Sequence, residues 1–421
     1  MPTPSLLIVP ARFKTGRLYS QIPTNTDNRG DFTVTRNTTA TRLNDAGAIE
    51  SVASGIPRLD YSVSGFVTGC PALLVEPAAT NSIRNNSNTG AVTGTPGTLP
   101  TNWTETLAGL TRSVIALGAE NGVQYIDIRF SGTANATEAL INFESPTQTV
   151  ASNGQVWTNS CFLKSISAPV PYTGLRLSTV ERTSGGVFVA SGNSPDLTLT
   201  STLNRFSFTR TLSGGGTVAR VQSRISFGLV SGTAYNFTVR IGYPQMELGS
   251  VATSVIPTTA GTGSRSADVI SVSGAVSGSI GQTEGTLYIE CQSEFATNDI
   301  IFINTAGEAI GNNYLAIIKT NQNRFQASVR ASGTTVSFTE TSGITSFAKI
   351  AIAYASGNTA CFINGLQIGS TDTTGFSFNA ALNRIQFIAD QLAGAKTTRI
   401  RAVALYTTRL TNAELATLTT P

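Results

Sequence analysis

Apolar and polar residues alternate in short runs along much of the chain. Clear examples are residues 123–130, 206–210 and 235–241, and clusters of Gly, Ser and Asn separate such runs. A period of two residues is typical of antiparallel strands that bury one face. The pattern therefore predicts an antiparallel β-sandwich over residues 100–256.

The alternation resumes after this region and supplies enough runs for a second sandwich over residues 285–421. Asn364 and Gly365 lie between two of these runs and predict a hairpin, because a type I′ turn needs a positive φ at both central residues. Thr411 and Glu414 have the spacing of a capping box, in which each side chain satisfies a free backbone amide. One short C-terminal helix is therefore predicted.

Changes in composition mark the borders between these regions. Residues 1–88 are irregular, with Arg and Pro at intervals, and a turn-rich stretch of Asn, Gly and Pro follows them. A second stretch rich in Gly, Thr and Ser begins at residue 257, and we interpret residues 257–284 as a linker with one connecting strand. The predicted fold class is all-β: an irregular β-rich N-terminal module followed by two antiparallel β-sandwiches.

Composition restricts the chemistry of the chain more than its fold. The 421 residues include 28 basic and 24 acidic side chains and no histidine. The lack of histidine excludes Ser-His-Asp and Cys-His catalysis and every His-ligated metal site. The net charge of +4 is dispersed over both signs, so we expect no nucleic-acid partner. No signal peptide and no apolar run of about 18 residues is visible, so we expect no membrane insertion.

The cysteines give no sign of a metal site. Cys70, Cys161, Cys291 and Cys361 are far apart and form no CxxC pair. We therefore expect four buried thiols, with one or more disulfides as the alternative. Asp-x-Asp loops typical of calcium sites are missing, although backbone carbonyl ligands leave no trace in a sequence. We assign no cofactor and no metal site.

Without histidine, catalysis would depend on pairs of Asp and Glu, as in glycosidases. The candidate pairs are Glu138 with Glu144 and Glu290 with Glu294, whose separations the sequence does not give. Paired carboxylates in strand-rich domains are mostly solvated charges, so we expect that the protein is not an enzyme. A glycan hydrolase is kept as an alternative.

Aromatic residues are the other candidates, because sugar sites combine a flat ring with hydrogen-bonding groups. Trp103 and Trp157 begin apolar strands and are expected in the core. Tyr172, Tyr235 and Tyr314 have no spacing that selects one of them. The glycan-binding residues are therefore left unassigned.

Three parts of the chain carry a resemblance to known families. The C-terminal region resembles concanavalin A-like or laminin-G-like lectin sandwiches in KIAIAY (349–354), GNTACFING (357–365) and ALYTTRLTNAEL (404–415). The middle region is similar to the jelly-roll, carbohydrate-binding-module-like domains of phage virion proteins in WTNSCFLK (157–164) and IGYPQMELGSVATSVIP (241–257). The first region resembles the N-terminal module of phage fibre and appendage proteins in GDFTVTRNTTATRLNDAG (30–47), PRLDY (57–61) and CPALLVEPAATN (70–81).

The resemblance implies a structural protein on the virion surface of a tailed bacteriophage, a head or tail fibre made in the host cytoplasm. It also implies recognition of host-surface or environmental glycans through the sandwiches, and we expect a homotrimer from the likeness to fibres. We assign residues 1–88 to attachment to other virion proteins, with residues 6–9 pairing at a sheet edge and Arg12, Lys14 and Arg17 binding carboxylates. The alternatives are a capsid decoration protein without receptor binding and a virion glycan hydrolase.

Overall fold

The computed structural model describes residues 1–23, 30–61, 71–167, 172–293, 298–307, 312–320, 322–387 and 397–421, and only the backbone of residues 298 and 299. The structure is all-β, with antiparallel sheets and one short C-terminal α-helix, so the predicted fold class is confirmed. The chain divides into two compact units. Unit 1 comprises residues 1–78 and 266–421, and unit 2 comprises residues 79–265.

The strands are numbered along the chain. The first part of unit 1 contains β1 (Leu6–Ile8), β2 (Phe13–Lys14), β3 (Arg17–Leu18), β4 (Phe32–Thr35), β5 (Ala40–Leu43), β6 (Ile49–Val52), β7 (Arg58–Asp60) and β8 (Ala72–Val75). Unit 2 contains β9 (Ala79–Asn81), β10 (Thr104–Thr106), β11 (Thr111–Glu120), β12 (Val123–Thr133), β13 (Glu138–Asn142), β14 (Thr149–Val150), β15 (Val156–Ser165), β16 (Gly174–Arg182), β17 (Phe188–Asn193), β18 (Asn204–Thr211), β19 (Arg220–Gly228), β20 (Ala234–Leu248) and β21 (Gly263–Arg265).

The second part of unit 1 continues the numbering. It contains β22 (Val269–Ser273), a 3₁₀ helix (Ala275–Ser279), β23 (Glu284–Ser293), β24 (Asn298–Asn304), β25 (Asn313–Lys319), β26 (Phe325–Ala331), β27 (Thr334–Thr339), β28 (Ala348–Ala355), β29 (Ala360–Ile363), β30 (Leu366–Gln367), β31 (Arg384–Phe387), β32 (Thr398–Tyr406) and helix α1 (Asn412–Thr419). None of the helices in the described ranges is long and apolar enough to cross a membrane.

Unit 2 is a sandwich of two antiparallel sheets. The six-stranded sheet has the order β10-β13-β19-β16-β17, with β14 also paired to β19, and the five-stranded sheet has the order β11-β12-β20-β15-β18. The Phe130 ring of the five-stranded sheet lies 5.2 Å from the Phe227 ring of the six-stranded sheet. Apolar side chains from both sheets surround this contact and form one core. The inward residues of the alternating runs thus supply the core of unit 2.

Unit 1 is a second sandwich with larger sheets. The eight-stranded sheet has the order β30-β29-β28-β23-β32-β8-β7, with β1 also paired to β32. The nine-stranded sheet has the order β2-β3-β4-β22-β31-β24-β25-β26-β27. The core between them includes Leu287 and Val403 from the first sheet and Ile303 and Leu315 from the second, all fully buried.

Local sequence signals near the C-terminus act as predicted. Asn364 and Gly365 have φ values of 49° and 84° and connect β29 to β30. At α1, the Thr411 amide donates to the Glu414 carboxylate over 2.8 Å, and the Glu414 amide donates to the Thr411 hydroxyl over 3.3 Å. The hairpin and the capping box are therefore confirmed. Leu415 of α1 packs on the outward face of the eight-stranded sheet.

The N-terminal residues do not form the separate module expected over residues 1–88. Strands β1 and β8 both pair with β32, and β4 pairs with β22. Strands of three or four residues cannot bury an apolar face alone, so these complete the sheets of the C-terminal sandwich. The region expected as a linker, 257–284, likewise contributes β22 between β4 and β31. Residues 79–88 and 257–265 belong to unit 2, whose strands β9 and β21 pair.

The basic residues near the N-terminus have no carboxylate partner in the described part of the chain. Arg12, Lys14 and Arg17 form no ion pair with a described residue, and the Lys14 ammonium lies 5.8 Å from the centre of the Tyr19 ring. The apolar run at residues 6–9 contributes β1, which pairs with β32 inside the chain's own sheet. Attachment to other virion proteins through this segment stays a prediction.

A buried ionic cluster joins the two parts of unit 1. The fully buried Arg58 donates to the Glu76 carboxylate over 2.7 Å and also to Asp268. Arg36 donates to the other Asp268 oxygen over 2.9 Å. Burial acts to lower the pKa of Arg58, but the charges of Asp268 and Glu76 outweigh it and raise the pKa above its usual value. The cluster is a buried salt bridge between segments far apart in sequence.

The thiols are buried where the structure describes them. Cys161, Cys291 and Cys361 are free and buried, and burial raises the pKa of Cys361 to about 12. Cys70 lies outside the described residues. The expectation of buried thiols therefore holds for three of the four cysteines.

Substitution of Arg58→Leu should destabilise unit 1 strongly. It leaves the Glu76 and Asp268 carboxylates buried without their main cation, and breaking a buried pair in this way costs about 3–5 kcal/mol. The free energy of unfolding, measured by urea denaturation, should fall by about this amount. The same substitution at the exposed Arg12 should change it by less than about 0.5 kcal/mol. Equal effects at both positions would contradict the assigned role of the cluster.

Candidate functional site

The outward face of the six-stranded sheet in unit 2 carries four arginines. Arg176 and Arg182 lie on β16, and Arg220 and Arg224 lie on β19. Their chain neighbours, such as Ile225, point into the core of unit 2. Because side chains alternate along a strand, the arginines point away from the core.

The register of the strands places two of these arginines in a first row. Val150 lies opposite Arg220, Arg220 opposite Arg182, and Arg182 opposite Phe188. Directly opposite residues of antiparallel strands share a face and have Cβ atoms about 5 Å apart. Val150 is 70% exposed and Phe188 is 55% exposed. An exposed aromatic ring therefore stands at the end of a pair of adjacent guanidinium groups.

A second row crosses the same face four residues further along β19. Asn142 lies opposite Arg224, Arg224 opposite Ser178, and Ser178 opposite Asn193. The row therefore joins β13, β19, β16 and β17. It consists entirely of side chains that can donate or accept hydrogen bonds.

Polar atoms of the second row have no partner among the described residues. Arg224 Nε, Ser178 Oγ and Asn142 Oδ1 are buried and make no hydrogen bond with that part of the chain. Ser178 is completely buried, and no described residue accepts a hydrogen bond from Arg224 or from Arg220. Buried polar groups in native proteins are almost always paired, to protein or to water. Several unpaired groups together on a sheet face indicate a place for an external ligand.

The electrostatics of the face favour an anion. Burial lowers the pKa of Arg224, and only the nearby Glu138 opposes this effect. Burial also lowers the pKa of Arg182, with a further lowering by the positive charge of Arg224. Both guanidinium groups are therefore desolvated without a paired counter-charge. A bound carboxylate or sulfate would supply the missing negative charge.

Neighbouring residues hold Arg182 in position. Its Nε donates to the Gln222 side-chain oxygen over 2.8 Å, and its Nη1 donates to the Gly186 carbonyl over 3.0 Å. Gln222 donates in turn to the Glu144 carbonyl. This preorganisation reduces the entropy that Arg182 loses when a ligand binds.

The aromatic candidates from the sequence lie mostly in the core. Trp103 and Trp157 are 6% and 5% exposed, and both belong to the apolar cluster of unit 2, as expected. Tyr235 is also buried in this cluster, and Tyr172 packs against it. Tyr314 differs, because it lies in unit 1 on an outward sheet face.

The carboxylate candidates do not form a pair in the described residues. Glu138 accepts a hydrogen bond from Ser226 over 2.5 Å, whereas Glu144 is held by Arg84 at 2.7 Å. Glu290 pairs with Arg401, also at 2.7 Å. Its proposed companion, Glu294, lies outside the described residues. No group of three or more His, Cys, Asp or Glu residues in the described ranges could hold a metal ion.

No motif in the sequence singles out the four arginines or Phe188. A signal for β19 was present, because Arg220, Gln222 and Arg224 follow each other at a spacing of two residues. This spacing predicts that one face of the strand is polar and points outward. It does not predict the partners on β16 and β17, because they depend on the register of strands distant in sequence.

No protein-family model and no curated protein sequence matches this chain. Among solved structures, it is similar to the Ruminococcus gnavus IT-sialidase CBM40 bound to alpha2,3 sialyllactose, with 14% identity over 35% of this chain and 88% of that chain and a TM-score of 0.31. It is similar to a leech intramolecular trans-sialidase, with 16% identity over 34% of this chain and 24% of that chain and a TM-score of 0.30. It is also similar to Trypanosoma rangeli sialidase, with 10% identity over 96% of this chain and 82% of that chain and a TM-score of 0.28.

These matches correct one expectation from the sequence. The distant structural neighbours are carbohydrate-binding modules and sialidases, and one sialidase matches along 96% of this chain. The expectation that the chain is not an enzyme is therefore wrong. At these identities and TM-scores, no activity and no residue role is carried over to this chain.

Arg224, which has no ion-pair partner among the described residues, should be dispensable for folding, whereas the paired Arg210 should not be. Arg224→Met removes a desolvated charge without breaking an ion pair, so the free energy of unfolding should change by less than about 0.5 kcal/mol or should increase. Arg210→Met is the comparison, because Arg210 pairs with the fully buried Glu181 and its loss should cost about 3 kcal/mol. Urea denaturation of both variants tests this difference. A loss at Arg224 as large as that at Arg210 would show that Arg224 has a structural role.

Proposed function

We propose that this protein binds glycans and that the outward face of the six-stranded sheet of unit 2 holds an acidic sugar. The observation that supports this most strongly is the second row, where Arg224, Ser178 and Asn142 present buried polar atoms that no described residue pairs. Their donors and acceptors suit both an acidic group and sugar hydroxyls. A ligand that offers both an acidic group and hydroxyl groups uses more of these donors and acceptors than a simple anion does. The row therefore favours an acidic saccharide.

Each part of the face has a role in this proposal. Arg224 donates two hydrogen bonds to a carboxylate or sulfate through its planar guanidinium fork, with Ser178 as an additional donor. Arg182 and Arg220 add positive charge in the first row, which crosses the same two strands, β16 and β19, four residues away. The exposed ring of Phe188 contacts the apolar face of a sugar ring.

The binding test compares an acidic and a neutral ligand by isothermal titration calorimetry. The full chain should bind 3′-sialyllactose or an oligogalacturonate, and it should bind lactose at least about tenfold more weakly, because a hydrogen bond to a charged group is worth about 1.5–3 kcal/mol. Arg224→Gln should lower the affinity for the acidic ligand by at least about tenfold for the same reason.

Arg129→Gln is the matched control for this test. Arg129 is an exposed arginine on β12 of the five-stranded sheet, so its substitution removes the same charge from unit 2 at another face. Its affinity for acidic saccharides should equal that of the unchanged protein. Equal losses for Arg129→Gln and Arg224→Gln would indicate an unspecific charge effect and contradict the proposed site.

We further propose that the glycan-binding chain belongs to a tailed-phage virion, as a homotrimeric head or tail fibre on the particle surface. The sequence resemblance of residues 30–81, 157–164 and 241–257 to phage fibre and virion proteins supports this setting. Repetition of a weak site about a three-fold axis would raise the avidity for a host surface. Decoration of a capsid without receptor binding is the alternative.

A density map of the intact particle tests this biological setting. It should place three copies of the chain at a fibre, with the six-stranded sheet of unit 2 exposed. Placement flat on the capsid, with loss of particle stability as the only effect of deletion, would favour the decoration role instead.

A further inference from the structure

The outward face of the nine-stranded sheet in unit 1 carries another row of polar and aromatic side chains. Arg384 lies opposite Asn304, Asn304 opposite Tyr314, and Tyr314 opposite Arg330. Their chain neighbours belong to the core cluster of unit 1, so these four side chains point away from the core. We call them the unit 1 row.

Polar atoms in the unit 1 row also lack partners in the described ranges. Asn304 is only 4% exposed, yet its Oδ1 makes no hydrogen bond with a described residue. Arg330 Nε is buried and unpaired as well. No described residue accepts a hydrogen bond from Arg330 or Arg384. A buried amide oxygen without a donor costs about 1–3 kcal/mol, so its presence beside two arginines points to an external ligand.

An aromatic platform lies within the same row. The Tyr314 ring is 5.0 Å from the Phe302 ring, and Phe302 is 3% exposed although it points outward. Phe302 therefore supports one side of Tyr314, whose hydroxyl makes no hydrogen bond with a described residue. A half-buried tyrosine fixed in this way can stack against a sugar ring at a low entropic cost.

Helix α1 does not pack on the face that carries the row, and the described side chains of that face bring no negative charge. Helix α1 packs on β28 and β29 of the eight-stranded sheet, so it covers the outward face of the other sheet. None of the described side chains that β22, β31 and β24 to β27 place on this outward face is acidic. No described side chain of this face therefore neutralises the charge of Arg330 and Arg384.

We propose that the unit 1 row is a second saccharide site and that it binds a sugar bearing a carboxylate or a sulfate. Arg330 binds the acidic group, Tyr314 stacks on the ring, and Asn304 accepts a hydrogen bond from a hydroxyl. From β31 to β26 the row spans three strand spacings, about 14 Å, which is longer than one sugar ring. The site therefore fits an oligosaccharide that reaches from Arg330 to Arg384. This proposal goes beyond the unit 2 site and does not depend on it.

The test counts binding sites on the full chain by isothermal titration calorimetry. The probes are 3′-sialyllactose and an oligogalacturonate for carboxylates and a sulfated disaccharide for sulfates. With its preferred probe, the unchanged protein should bind two ligands per chain. Arg224→Gln should leave one site, and the double variant Arg224→Gln with Arg330→Gln should leave none. Tyr314→Leu in the Arg224→Gln background should weaken the remaining site at least tenfold.

Controls separate loss of binding from loss of folding. Arg12→Gln removes an exposed arginine of unit 1 and should leave the unit 1 site unchanged. Arg330→Lys keeps the charge but lacks the planar fork, so it should retain weakened binding with an unchanged unfolding midpoint.

The outcomes distinguish the two proposed sites. A single site in the unchanged protein, abolished by Arg224→Gln, would overturn the unit 1 site and support the unit 2 site. A single site that survives Arg224→Gln but not Arg330→Gln would do the reverse. Absence of binding to all three probes would overturn both.

Discussion

The organisation of unit 1 depends on the buried carboxylate of Asp268. This carboxylate binds Arg36 and Arg58, and it also accepts a hydrogen bond from the Glu76 amide over 3.0 Å. The Asp268 amide donates back to the Glu76 carbonyl over 2.9 Å. Buried anions require such complete pairing because they are removed from water. These contacts join the segment that ends at residue 78 to the segment that begins at residue 266. Unit 2 is inserted between these two segments in the sequence.

Arginines on the outward sheet faces differ in whether they have a charged partner. On the five-stranded sheet of unit 2, Arg240 donates to Asp127 over 2.8 Å and lies 3.3 Å from the centre of the Tyr125 ring. Glu120 accepts hydrogen bonds from Lys164 and Arg240, which lower the pKa of Glu120. Every charge in this group has a partner, as expected for a network that stabilises a sheet. Arg224 and Arg330 lack such partners, which is the physical difference between a structural face and a candidate binding face.

Short-range structure could be predicted from the sequence because its causes are local. The Asn364-Gly365 turn needs positive φ angles, and the α1 cap needs only Thr411 and Glu414. The prediction of a separate N-terminal module was wrong because the partner of β1 is β32, at the opposite end of the chain. No local pattern in Leu6–Ile8 distinguishes pairing within a module from pairing with residues 403–405. The two candidate sites could not be predicted from the sequence for the same reason. Each row depends on the register between strands that are distant in sequence.

The two proposed sites are small, and their size limits how strongly each can bind a ligand alone. Each row presents few groups on a single sheet face, so each is expected to bind a short saccharide weakly. The two rows lie in separate units, on sheets that share no strand. Binding at one row is therefore expected to leave the contacts of the other row unchanged, and a short oligosaccharide reports each row separately.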